Sequence, residues 1–472
     1  WTHLPGSPTR AHRMAIAANP VPTLYVTHAA GVSRYRERAW KDITPRNPAT
    51  LAFNAIATDP FEPNRLIAVY DQYHDRANQQ RVFVSEDSGE NWQVQTAYGN
   101  SGAPWWEDAA FGAATAAIAF DPHVPDQVWL TDWSGVWQTT NINRKPTLWQ
   151  SEVRGHEELV VFALLTPSHG AALVSGVADS DGFNHDPDLN IYPMQTFGGK
   201  DGPWFQDTYS LAFCETHPEH WVRVGGNRYN ATFGGALSDD GGKTWQAFAT
   251  FPEDVMPLRV GMSATDSDVL VVTVSEGTAL RSSDRGKTWM NVVGLPAGDR
   301  GPWYWSQSLA ADKVLGQVFY YYAAGTLYRS DDGGASFAAV NADLPSESWH
   351  EIETVPDRPG ELWLSLDRAG LYYSSDRGQT FASIPTVERS YLFALAPTES
   401  AETPPVLYVY GEIASLGPGI FRSSDRGQTW QPIDAPEQPI GNDPKVMTAS
   451  RQQPGVIFIG TGGRGIYYGK PS

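Results

Sequence analysis

The sequence predicts an all-β fold, a single large β-propeller of about ten four-stranded blades. Three observations lead there: a composition that suits many short strands, a turn motif that recurs at a near-constant interval, and apolar runs that recur with it. The chain of 472 residues carries 44 Gly, 35 Pro and 18 Trp, with 12% aromatic and 18% charged residues. That is too aromatic for a disordered chain and too rich in Gly and Pro for a helical one. Strands separated by frequent turns accommodate it.

The motif reads Ser-x-Asp-x-Gly-x-x-aromatic. It stands at Ser85 to Trp92, Ser238 to Trp245, Ser282 to Trp289, Ser330 to Phe337, Ser374 to Phe381 and Ser423 to Trp430. Its carboxylates are Asp87, Asp240, Asp284, Asp332, Asp376 and Asp425, separated by 44 to 49 residues after a first gap of 153. That interval is the length of a four-stranded blade. Each Asp can accept backbone N–H groups inside a tight hairpin, and the Gly supplies positive φ. The aromatic residue opens the next strand and packs between sheets. These six Asp residues, the Asp boxes, are therefore expected to be structural rather than catalytic.

Innermost strands are expected at ten apolar runs: Met14–Ala17, Phe53–Thr58, Thr115–Phe120, Val160–Leu165, Tyr209–Phe213, Arg259–Ser263, Ser308–Ala311, Glu351–Val355, Tyr391–Ala396 and Val446–Ser450. The last unit has three strands, and Trp1 to Leu4 resembles the fourth strand that follows each Asp box. A ring would close if that N-terminal strand completed the C-terminal blade, which would remove both exposed sheet edges. No linker or composition break marks a second domain, so residues 1–472 are expected to be one domain. The alternative is a seven-bladed propeller plus a partial second one.

Net charge of −19 argues against nucleic acid and against an anionic membrane surface. The one cysteine, Cys214, excludes an internal disulfide, and its place inside an expected strand makes it a poor nucleophile. No run of eighteen apolar residues is present. The chain opens at Trp1 without Met, which reads as a processed or trimmed form, and a secreted or extracytoplasmic monomer is expected. No metal-ligand spacing and no phosphate-cradling loop are found, so no cofactor and no metal are expected.

The middle of the chain is more specific. Glu157-Glu158 precedes the turn Thr166-Pro167-Ser168-His169-Gly170. Then follows Asp179-Ser180-Asp181-Gly182-Phe183-Asn184-His185-Asp186. Further on stand Val222-Arg223-Val224-Gly225 and Gly460-Thr461-Gly462-Gly463-Arg464-Gly465. These segments resemble glycoside hydrolase family 74, well over residues 105 to 470 and more weakly at Leu24 to Gly31. The resemblance implies cleavage of β-1,4-glucan backbones, typically xyloglucan, by inversion. It also implies two seven-bladed propellers that each contribute one catalytic Asp. This chain is about four blades short of that pattern. On this count residues 1–104 are a remnant of the family's first propeller, residues 105–445 are seven blades matching its second, and residues 446–472 close the ring. A merged ten-bladed ring, as in sortilin-type receptors, is the simpler solution. The early arginine signature of sialidases, which also carry Asp boxes, is not found.

By that resemblance Asp179 is the general acid, while the family's first-blade Asp falls at Ala29. Inversion needs two carboxylates roughly 6.5–9.5 Å apart, so that a water fits between base and sugar. Asp71 and Asp75, in an acidic and aromatic loop, and Asp132 are base candidates, with Glu107 and Asp108 beside them. Alternation along an extended segment would point Asp179 and Asp181 the same way, so that repulsion raises one pKa. Glu157 and Glu158 are candidate partners of the pair. Flat rings suit stacking on pyranose faces, which makes Trp105, Trp106, Trp133, Trp204, Trp303, Trp305 and Trp349 candidate sugar contacts, with His185 beside them. Other readings are a non-catalytic carbohydrate- or peptide-binding propeller, and a polysaccharide lyase using Tyr73 and His74.

Overall fold

The computed structural model describes residues 4–18, 21–46, 53–70, 81–106, 111–112, 114–155, 157–397, 403–435, 437, 439–441 and 443–470. Every regular element there is a strand. No helix long and apolar enough to cross a membrane is present among the described residues. Each of the ten apolar runs named above overlaps the first strand of a sheet.

Internal contacts divide the chain into two compact units, Trp1–Glu158 and Leu159–Ser472. The first unit holds three sheets. One is β1 (Ala11–Ala17), β2 (Thr23–His28), β3 (Gly31–Arg36) and β4 (Ala39–Asp42). The next is β5 (Phe53–Thr58), β6 (Leu66–Tyr70), β7 (Val82–Ser85) and β8 (Gln93–Gln95). The third contains β10 (Ala117–Phe120), β11 (Val128–Asp132), β12 (Gly135–Thr139) and β13 (Thr147–Ser151). It takes a fifth strand, β9 (Ala97–Asn100), parallel to β13. Trp137 and Trp149, both fully buried, fill the core of this sheet with Phe111.

The second unit holds seven sheets. The first has three strands, β14 (Val161–Leu165), β15 (Leu173–Val177) and β16 (Gly182–His185). Five four-stranded meanders follow. They are β17 (Asp207–Cys214), β18 (His217–Asn227), β19 (Thr232–Ser238), β20 (Gln246–Ala247); β21 (Pro257–Met262), β22 (Leu270–Val274), β23 (Leu280–Ser282), β24 (Met290–Asn291); and β25 (Leu309–Ala311), β26 (Phe319–Ala323), β27 (Thr326–Ser330), β28 (Ala338–Asn341). After them come β29 (Glu351–Thr354), β30 (Leu362–Ser365), β31 (Leu371–Ser374), β32 (Ala382–Ser383); then β33 (Val387–Ala396), β34 (Val406–Ile413), β35 (Gly417–Ser423), β36 (Gln431–Pro432). The last sheet is β37 (Pro444–Ala449), β38 (Ile457–Thr461) and β39 (Ile466–Gly469).

The first and last of these sheets meet. Gly465 N–H donates to Leu159 O at 3.0 Å and Thr166 Oγ1 to Ala449 O at 2.8 Å. Gln452 Nε2 donates to Pro167 O, and Val160 bridges Gly462. A cavity of about 170 Å³ is lined by residues of the inner strands β14, β17, β25, β29, β33 and β37. Spacing alone does not say which sheet meets which; these contacts join the sheet that begins at β14 to the one that begins at β37. Of the N-terminal segment expected to complete the last sheet, residues 1–3 lie outside the described residues.

The Asp boxes behave as their chemistry requires. In the box at Asp240, Oδ1 accepts from Thr244 N–H at 2.9 Å and Oδ2 from the Thr244 hydroxyl at 2.6 Å. Gly242 N–H donates to Ser238 Oγ at 2.8 Å. The boxes at Asp87, Asp284, Asp332, Asp376 and Asp425 repeat the pattern. Donors from Thr288 and Thr429 hold Asp284 and Asp425 down at about 2. Two successive residues take positive φ, such as Arg285 (61°) and Gly286 (72°), so Gly is needed at only the second position. The box aromatics reach the preceding sheet, as Trp92 Nε1 does in donating to Ile43 O at 2.7 Å.

Candidate active site

Antiparallel meanders sort the loops of the second unit by end. The segment before each first strand and the turn between second and third strands emerge together, while the Asp boxes lie at the opposite end. Asp179 sits at the first of these ends, in the β15–β16 turn, with its side chain 44% exposed. Gln206, just before β17, donates through Nε2 to Asp179 Oδ1 at 2.7 Å. Arg228, from the β18–β19 turn, donates through Nη2 to the same oxygen at 2.9 Å.

Arg228 also grips Asp207, a fully buried carboxylate at the start of β17. Asp207 further accepts from Tyr209 OH at 3.0 Å and from the Asp179 backbone N–H at 3.0 Å. Desolvation opposes the Arg228 charge, but the bonds to Asp207 and Asp179 raise its pKa. One cation therefore serves two carboxylates, one buried and one open to solvent.

From this group an aromatic track leads across the same end. The Arg228 guanidinium lies 5.3 Å from the Trp303 ring centroid, and Trp303 stacks on Phe162 at 5.5 Å. Trp305 stacks on the same Phe162 at 5.5 Å, held by its Nε1 donating to Val161 O at 2.9 Å. Lys445 Nζ stands 4.8 Å over Trp305 and 5.9 Å over Trp349. Trp349 stacks on Tyr391 at 4.6 Å and 10°, and its Nε1 donates to Tyr391 O at 2.6 Å. Trp303 is 52% exposed and Trp204, two residues before Gln206, is 50% exposed. Flat rings with an open face at a carboxylate suit an extended sugar chain.

His350 anchors the Trp349 segment. It is buried, with Nε2 3.1 Å from Ser308 Oγ and Nδ1 3.1 Å from Glu347 O. Burial lowers its pKa to about 4. The unfolded chain binds this proton from about pH 6.5 downward and the folded chain only near 4, so stability falls as pH drops through that window. At pH 5 the loss is about 2 kcal/mol from His350 alone. Melting temperatures at pH 7 and pH 5 are expected to differ less in His350→Gln than in the parent.

Several sequence candidates lie elsewhere. Asp181 does not face outward beside Asp179. Both residues take positive φ, 61° and 62°, so the segment is a turn and not an extended strand. Asp181 is fully buried and paired with Arg223, which accounts for the Val222 to Gly225 segment. His185 lies at the far end of the β15–β16 hairpin, paired with Leu173, where Nε2 is 2.8 Å from Ser175 Oγ and burial lowers its pKa to about 4. It lines a separate cavity of about 720 Å³ at the Asp-box end.

In the first unit, Trp106 packs against the core and lies 5.4 Å from Trp137, with Trp105 stacked on it at 6.1 Å. Both rings of that pair are half-buried. Trp133 is 66% exposed. Asp132 accepts from Gly112 N–H at 2.6 Å and Ser134 N–H at 2.9 Å, and burial raises its pKa to about 6. Asp71, Asp75, Tyr73, His74, Glu107 and Asp108 lie outside the described residues. Glu157 Oε1 accepts from Gly155 N–H at 3.1 Å, and neither Glu157 nor Glu158 is joined to Asp179 by a described hydrogen bond. Gln206, Asp207, Arg228, Lys445 and Tyr391 were not singled out from sequence. Gln206, Asp207, Arg228 and Lys445 lie at or beside strand ends and Tyr391 inside β33, places that carry no signal of their own in the sequence.

Comparison with known proteins finds chains of similar sequence and fold. Models of the BNR/Asp-box repeat match residues 236–247 and 420–433. A xyloglucanase from Paenibacillus sp is 28% identical over all of this chain and 49% of that protein. A probable oligoxyloglucan-reducing end-specific xyloglucanase from Neosartorya fischeri is 28% identical over 94% of this chain and 65% of that protein. The crystal structure of a family-74 xyloglucanase from Xanthomonas campestris is 27% identical with a TM-score of 0.86, over 100% of this chain and 69% of that one. The chain is a glycoside hydrolase family 74-like, xyloglucanase-related Asp-box repeat protein. It spans about half the length of the first of these relatives and 65% of the second.

Proposed function

We propose that this chain is an inverting glycoside hydrolase of xyloglucan-type β-glucans, acting outside the cytoplasm, with Asp179 as general acid. The observation that carries the reading is the convergence of an exposed Asp179 with Trp303, Trp305 and the Trp349–Tyr391 stack at one end of the second unit. The seven sheets of residues 159–472 are proposed to form one seven-bladed ring, which the contacts between β14 and β37 support. This replaces a ring of ten and agrees with the alternative of seven blades plus a partial set.

The chain's own groups divide the work as follows. The rings orient the glucan backbone by stacking. Asp179 delivers a proton to the leaving oxygen as the glycosidic bond breaks. Asp207 and Arg228 hold the turn that presents it. The base is proposed among Asp71, Asp75 and Asp132. Incubation with xyloglucan is expected to release reducing ends, and proton NMR of the first product is expected to give the inverted anomer. A retained anomer would overturn the mechanism.

A second reading has one observation behind it. Ala29, where the family's first-blade Asp falls, sits in the β2–β3 turn and carries no carboxylate. On that reading the chain binds the glucan without cutting it. Affinity for xyloglucan with no reducing ends formed would select it.

A further inference from the structure

Gln206 is 6% exposed, yet its side chain makes a single described hydrogen bond, from Nε2 to Asp179 Oδ1. Its Oε1 is buried and has no partner among the described residues. A buried amide oxygen left unpaired destabilises the fold, so a fold that keeps one beside a reacting carboxylate needs a reason. The chemistry of a general acid supplies one. A carboxylate only accepts hydrogen bonds, whereas the protonated acid must donate one. Arg228 has donors only and offers nothing to accept the proton of the acid. An amide carries both a donor and an acceptor on one rotatable end.

We propose that Gln206 is a positioning residue that holds Asp179 in both protonation states. Its Nε2 donates to the carboxylate, and after a half-turn of the amide its Oε1 accepts the proton of the acid. This rests on Asp179 being the acid. The hydrogen bond reverses with no covalent change in Gln206, and Asp179 keeps its direction toward substrate throughout.

The groups around Asp179 permit this. Arg228 approaches from the β18–β19 turn, Asp207 and Tyr209 from β17, and Asp181 on its own turn is directed inward to Arg223. Asp207 already takes donors from Arg228, Tyr209 OH and the Asp179 N–H. Asp179 and Gln206 are the pair left to exchange a proton position.

Two variants test it, with xyloglucan as substrate. Gln206→Met keeps length and removes both polar atoms. It is expected to lower kcat about tenfold or more with KM within twofold. Gln206→Glu places a second carboxyl against Asp179, so the two share one proton. The alkaline limb of its kcat/KM profile is expected to rise by at least one pH unit, which a merely structural residue would not cause. In the pH-difference infrared spectrum of the parent, an amide C=O band is expected to move with the Asp179 carboxyl band, and to be lost in both Gln206→Met and Asp179→Asn. Parental kcat in Gln206→Met, an unmoved limb in Gln206→Glu, or a silent amide would overturn the proposal while leaving Asp179 as acid. Full activity in Asp179→Asn would overturn the acid assignment itself.

Discussion

Replacing Asp179 with Asn is expected to cut xyloglucan hydrolysis by about 10² to 10⁴-fold, the usual share of a positioned general acid. Asn keeps the size and shape of the side chain, and its Oδ1 still accepts from Gln206 and Arg228. The turn is held by its backbone as well, since Asp179 N–H donates to the buried Asp207. The fold and the aromatic track are therefore expected to survive, and titration calorimetry with a xyloglucan oligosaccharide should give an affinity within a few-fold of the parent. A variant that keeps turning over removes Asp179 from the chemistry. A variant that loses binding and cleavage together shows damage to the site and leaves the assignment to be decided by Asp179→Glu.

Much of the fold was legible because it is repetitive. The boxes at Asp240, Asp284, Asp332, Asp376 and Asp425 close hairpins within a few residues, so their geometry is local and the sequence carries it. The first strands were readable as apolar runs for the same reason. What was not legible depends on contacts between residues far apart. That β14 lies against β37 is decided by groups some 280 residues apart, such as Thr166 and Ala449, and no period reveals it. In the candidate site, the motif singled out Asp179 and the loops singled out the three Trp residues whose roles are proposed above. Arg228 and Asp207 were missed because each looks like an ordinary hairpin or strand-end residue until the sheets are set side by side. Asp181 was misjudged by applying strand alternation across two residues that the backbone bends into a turn.

That buried residue gives the largest expected effect on stability. Asp181→Ala is expected to cost about 3–5 kcal/mol, because it leaves the Arg223 charge buried without a counter-ion. Both side chains of the pair are fully buried. Asp181 also accepts from Gly198 N–H at 2.8 Å and from the Thr208 hydroxyl at 3.2 Å, so it ties the loop before β17 to the β15–β16 turn. Arg223 lies among the rings of Phe205, Trp245 and Phe197 at 4.3, 4.9 and 5.1 Å. Desolvation dominates for both partners: it pushes Asp181 upward, and it pulls Arg223 down to about 10 despite the attraction of Asp181. The pair is thus costly to bury, and its worth lies in holding the two segments that carry Asp179 and Gln206. Two consequences separate this from a simple stabilising ion pair. Urea unfolding of Asp181→Leu/Arg223→Leu should recover part of the loss seen in Asp181→Ala, since no lone charge remains. Its hydrolysis should nevertheless stay low, because the turn has lost its anchor. If the double variant is no more stable than Asp181→Ala, the stranded charge is not the source of the cost.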